Sequence, residues 1–195
     1  MLKRILFTVA AVIAMISAVD AAEWKIDAAH STVGFEVRHL VISRLRGQFQ
    51  EFDCRLKFDA SALEAGSVEF TVQTASIDTD NEDRDKHLRT GEFFDTENHP
   101  TMTFKSSKVI KGDENKFKLV GDLTIRGVTK EVVFDCEFYG AVKDPWGNTK
   151  SGFSAHTEIN RQDFKVSWSK SLDSGGLVVG DMVNITVDVE FAEIG

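Results

Sequence analysis

Eight separate segments of this chain alternate apolar and polar residues, and that alternation constrains its fold more than any other feature. Successive side chains on a strand point to opposite faces, so a period of two marks a strand with one buried face. The last segment is the cleanest: Val183, Ile185, Val187, Val189 and Phe191 alternate with Asn184, Thr186, Asp188 and Glu190. Earlier segments carry Val33, Phe35 and Val37, then Phe52, Cys54, Leu56 and Phe58, then Val68, Phe70 and Val72. Next come Met102 and Phe104, then Phe117, Leu119, Leu123 and Ile125. Val132, Phe134, Cys136 and Phe138 share one parity, and Phe153, Ala155 and Ile159 another. Phe49 falls out of step with Phe52 to Phe58, which predicts a bulge near Gln50.

Eight amphipathic strands must bury one face, either by stacking two sheets or by closing one. The expected fold is all-β, a single eight-stranded antiparallel barrel. Turn residues punctuate the strands at Lys111-Gly112-Asp113, Arg126-Gly127, Asp144-Pro145-Trp146-Gly147-Asn148 and Ser174-Gly175-Gly176. Helical pattern is confined to two short stretches, 39–46 and 81–90. Asp80 is placed to cap the second, whose first turn is acidic and whose end is basic. A barrel of eight strands leaves an interior that side chains fill or that holds one small ligand. The inward set is rich in phenylalanine, with 15 Phe in the chain against one Tyr. Phe needs no hydrogen-bond partner in a dry interior, which suits an apolar lumen and an ordinary core alike.

The N-terminal residues read as an address. Lys3 and Arg4 precede an uncharged run from Ile5 to Ile16 and then the small residues of SAVDAA. That is the layout of a secretory signal peptide over 1–21, cut after Ala21, with an apolar run too short to span a bilayer. Residues 22–195 then form one domain, expected in the periplasm. The whole chain has 23 basic and 31 acidic residues, net −8. Removing Lys3, Arg4 and Asp20 leaves 21 and 30, net −9. Such a charge repels phosphate backbones and anionic membrane surfaces, so nucleic acid is not an expected partner. Cys54 and Cys136 form no CxxC pair. They fall on the second and sixth strands, on opposite walls of a meander, farther apart than the ~4.4–6.8 Å a disulfide spans. Two unpaired, buried thiols are expected, with a bridge as the alternative that an oxidising compartment permits.

No constellation carries recognisable catalytic chemistry. Asp83 and His87 share a helix face, but further metal ligands at suitable spacing are absent. The five histidines are scattered, and no GxSxG elbow is present. No catalytic residue, metal or cofactor is expected.

Six segments together carry a resemblance. HSTVGFEVRHLVISRLRGQF (30–49), ASIDTDNEDRDKHLRTGEFFD (75–95), HPTMTFKSS (99–107), GDLTIRGVTKEV (121–132), DPWGNTKSGFSAHTEINRQDF (144–164) and GGLVVGDMVNITVDVE (175–190) resemble the YceI-like family in the same order. One departure is visible: Lys165 stands where a glycine is expected after Asp163-Phe164. The resemblance implies an exported, lipocalin-like barrel that binds polyisoprenoid lipids, including isoprenoid quinones, in its lumen. It implies no catalytic residues, a plausible homodimer, and transient membrane contact if the lipid is delivered. Parity and resemblance together place the lipid tail along Phe35, Val37, Leu56, Phe58, Phe70, Val72, Met102, Phe104, Phe134, Phe138 and Phe153. The polar head is expected at a rim formed by Arg38, His87, Arg89 and Trp168. Two rival readings are an enzyme acting on lipid with His87 as general base, and an envelope stress or structural protein with a filled core.

Overall fold

Backbone pairing closes the chain on itself. A computed structural model describes residues 22–59, 62–173 and 175–194, and the segment read as an export signal lies outside them. Its strands are β1 (Ala22–Ile26), β2 (Thr32–His39), β3 (Ser43–Phe49), β4 (Phe52–Phe58), β5 (Ser67–Gln73) and β6 (Ile77–Asp78). There follow β7 (Thr101–Lys111), β8 (Lys116–Ile125), β9 (Val128–Lys143), β10 (Thr149–Asn160) and β11 (Val179–Glu193).

The first six strands are halves of three longer staves. A 3-10 turn at Ala28–His30 interrupts β1 and β2, and another at Thr74–Ser76 interrupts β5 and β6. Gln50 and Glu51 break β3 from β4, where Phe49 loses parity, and their backbone N–H groups donate to Ser76 instead. With the halves joined, eight antiparallel staves follow one another around a ring. Closure comes from β11, which pairs β1 through Phe191 and Ile26 and pairs β2 through Val183 and Val37. Cys54 and Cys136 are free, buried thiols on β4 and β9, four staves apart and therefore on opposite walls.

Two details of local chemistry shape the walls. Arg126 and Gly127 hold φ of 48° and 70° in the two-residue turn between β8 and β9, the signs a type I′ hairpin needs. Gly121 lies where β7 bulges between Ser106 and Lys108, and a Cβ there would collide with the Lys105 carbonyl.

The helix expected over 39–46 does not form. Residues 43–49 are β3, and residues 40–42 are the turn of a β2–β3 hairpin. Cross-strand chemistry explains the difference: Val37 faces Leu45, and Glu36 binds both Arg44 and Arg46. One α-helix is present among the described residues, α1 (Glu82–Arg89). Its cap is Asn81, whose side chain accepts from the Arg84 N–H, while Asp80 sits at φ 59° just before it.

Candidate functional site

The inward faces of the staves do not fill the barrel. They enclose a cavity of about 250 Å³, close to the lower end of the ~300–1,000 Å³ usual for small-molecule sites. It runs from Leu63 and Gly66, beyond β4, to Leu88, Phe93 and Phe164 under α1. Its wall is almost wholly apolar. Phe35, Val37, Leu56, Phe58, Phe70, Val72, Met102, Phe104, Phe134 and Phe153 all line it. Phe138 does not. It stacks on Phe153 at 5.0 Å and meets Phe58 edge-on at 5.1 Å, backing the wall.

Half-buried rings decide between a lumen and a solid core. Phe35, Phe70 and Phe153 point inward, yet each is only partly buried, as are Val183, Ile185 and Val187. An inward apolar group that keeps accessible surface borders empty space. Both thiols face the same space. Burial pushes the Cys136 thiol up to about 12 and the Cys54 thiol higher still, so neither is a ready nucleophile.

One end of the lumen is closed by a bound set of loops. Arg126 reaches across it, donating to the carbonyls of Phe93, Lys165 and Gly91. Arg89 donates to the Ala75 and Ile77 carbonyls and so fastens α1 to β6. Asp85, buried, accepts from the N–H and hydroxyl of Thr79 at 3.0 and 2.5 Å. His87 lies over this lid, bonded to the Glu92 carboxylate, with its ring edge-on to Phe93 and Trp168. Trp168 stacks on Phe93 at 5.3 Å. The structure therefore brings His87 and Trp168 together, engages Arg89 with backbone, and leaves Arg38 exposed on the outer side of β2. Among the described residues, Glu92 is the side-chain hydrogen-bond partner of His87; no hydroxyl or thiol shares it.

Arg161 escaped sequence reading. It is 5% exposed, lines the cavity beside the lid, and carries a charge into an apolar surrounding. All five of its N–H donors are engaged, by the carbonyls of Gly180, Val166, Trp168 and Val179 and by Asp181. Burial draws its pKa down and Asp181 opposes that shift. The sequence signal was faint: an arginine at the end of an alternating segment normally faces water.

Asp27, His30 and Glu190 form the one three-residue cluster of potential metal-ligand side chains among the described residues. A cation already stands there. The Lys150 ammonium lies 2.8 Å from Asp27 and 3.0 Å from Glu190, on the outer wall and away from the lumen.

With this geometry in view, comparison with known proteins assigns the chain. The YceI-like domain model matches residues 24–191. A UPF0312 protein of Staphylococcus epidermidis is 37% identical over 171 residues, covering 87% of this chain and 97% of the relative. Among solved structures, BcnA of Burkholderia cenocepacia superposes with a TM-score of 0.75 at 25% identity, over 85% of this chain and 98% of that one. A polyisoprenoid binding domain from Saccharophagus degradans, implicated in plant cell wall breakdown, shares the fold. Its TM-score is 0.67 at 13% identity, over 89% of this chain and 99% of that one. The match spans all eight staves of the barrel, and the chain belongs to the YceI-like family.

Proposed function

We propose that this protein binds a polyisoprenoid lipid, with the tail in the barrel lumen, and stores or carries it in the periplasm. The observation that carries this reading is the apolar cavity of about 250 Å³ running the length of the barrel. A long path with a small cross-section suits a slender chain better than a bulky ring system. Branched isoprene units find aromatic and β-branched walls, and burial contributes about 25 cal/mol per Å² of apolar surface. The resemblance of this fold to a domain described as polyisoprenoid binding supports the choice of lipid. The signal-peptide pattern of residues 1–21 supports the location.

Binding without catalysis is the better reading. The cavity wall offers no activated nucleophile, its thiols being held protonated by burial. His87 and Glu92 meet on the outer side of the lid, paired with each other.

The probe is Phe70, half-buried and facing the lumen. Phe70→Asp puts an unpaired charge into a dry cavity, which is costly unless lipid is excluded and water admitted. Phe70→Leu trims volume without polarity, and Glu69→Ala, outward on the same strand, is the control. Lipid content is measured beside the thermal melt of each variant. We expect the control to retain its lipid, the Leu variant to lose some, and a folded Asp variant to be nearly empty. Full occupancy in a folded Phe70→Asp protein would place the ligand elsewhere and overturn the reading.

A further inference from the structure

The β2–β3 hairpin ends in three consecutive apolar residues, Leu40, Val41 and Ile42. Val41 is 60% exposed and Ile42 83% exposed, and neither joins a core cluster. Leu40 and Val41 hold φ of 52° and 68°, a backbone region that a β-branched residue rarely adopts. A tight turn of this shape favours Asn-Gly. Apolar residues here weaken both the turn and solubility, and no interior contact of Ile42 offsets that.

The charge around the tip is basic on a chain that is acidic overall. Arg38, Arg44 and Arg46 lie on the hairpin against the single acid Glu36, which Arg44 and Arg46 share at 2.8 and 3.0 Å. Arg38 is exposed and has no ion-pair partner among the described residues. Lys170, also exposed, lies on the neighbouring loop, which carries one exposed acid, Asp173: the Leu40 N–H donates to Val178, whose N–H donates to Lys170. Arg38, Val41, Leu177 and Gly180 line a groove beside the tip.

We propose that this tip is a membrane-docking finger: Val41 and Ile42 enter the headgroup region of an anionic bilayer while Arg38, Arg44 and Lys170 meet lipid phosphates. Long cationic side chains bury their stems and keep their heads at such an interface. A three-residue tip falls far short of the ~800 Å² per partner that a stable protein interface needs, so a second copy of the chain fits poorly. Position supplies the remaining argument. Val37 on β2, and Val179 on β11 where it pairs with His39 at the base of the finger, both line the lumen, so docking sets the lidded end of the cavity against the bilayer. The purpose of docking rests on the lipid-binding reading, but the surface itself does not.

The test is flotation of the protein with phosphatidylcholine vesicles, with and without phosphatidylglycerol. The native protein should bind the anionic vesicles and bind them less as salt rises. Ile42→Asp should weaken binding about tenfold, and Arg38→Gln about fivefold with a shallower salt dependence. Ile42 is exposed, so both proteins should melt as the native one does. Trp146→Ser, in the loop between β9 and β10 at the opposite end, should float as the native protein does. Phe70→Asp, which empties the lumen, should also float normally, so failure of the lipid reading and failure of docking are distinguishable. Native binding by Ile42→Asp, loss of binding by Trp146→Ser, or no native binding to either vesicle would overturn the proposal. So would a native dimer that Ile42→Asp dissociates.

Discussion

Lys165 shows how one residue records the backbone beneath it. Glycine is expected after Asp163-Phe164, and Lys165 indeed holds a left-handed conformation, φ 60° and ψ 17°. Its N–H caps the short 3-10 turn through the carbonyls of Arg161 and Gln162. The departure from glycine therefore keeps the loop and adds strain, because a Cβ disfavours this region. Lys165→Gly should stabilise the protein by about 0.5–1 kcal/mol, a Tm rise of a few degrees at this chain length. An unchanged or lower Tm would contradict the strain. A second residue-scale prediction concerns Asp27. The Lys150 ammonium, bonded to it, and then His30 hold its carboxyl at about 2, down from 3.8. A carboxyl depressed in the folded state stabilises above its unfolded value, and that stability is lost as pH falls through the folded one. Urea midpoints should therefore fall between about pH 4 and pH 2, and Lys150→Met should flatten that slope. The pair is partly open to water, so the effect is modest. An unaltered slope in Lys150→Met would show that other carboxylates dominate acid unfolding.

At the scale of elements, what was readable followed from what strands need locally. Parity in Val183 to Phe191 or Val33 to Val37 reports a buried face directly, because one-sided burial writes a period of two. The break at Gln50 was visible for the same reason. The 39–46 stretch misled because its apolar residues, Leu40, Val41 and Ile42, crowd a turn, where alternation carries no information. Pairing of Glu36 with Arg44 and Arg46 across strands decides that segment, and pairing is not a property of either strand alone. Arg161 was hidden for a similar reason. Four of its five partners are backbone carbonyls, at Val166, Trp168, Val179 and Gly180, and carbonyls leave no trace in side-chain pattern. It ties the 3-10 turn Arg161–Phe164, the following loop and the start of β11 into one lid. Arg161→Lys keeps the charge but supplies a point donor where a five-donor fork is needed. That variant should lose about 2–4 kcal/mol in urea unfolding, since several buried carbonyls go unpaired. A loss below about 1 kcal/mol would show that water or relaxation replaces the fork.

The barrel as a whole makes sense of features that no single strand explains. Ten of the eleven inward residues singled out from parity and family resemblance border one continuous cavity, and Phe138 alone backs its wall. The polar rim was less legible, because it is assembled from α1, the loop after β10 and the β8–β9 turn, far apart in sequence. His87 and Trp168 meet there, but Arg89 and Arg126 serve the lid's own carbonyls. Whether the interior is a lumen or a core turns on volume, which composition cannot report: the same phenylalanines would serve either. The central claim is that this lumen holds an isoprenoid chain, and direct examination of its contents tests it. Native protein should be purified without detergent, extracted with organic solvent and the extract analysed by mass spectrometry. About one lipid per barrel is expected, in a series of masses differing by whole five-carbon isoprene units. A compact, folded protein that yields no lipid, or only straight-chain acyl lipid, would contradict it.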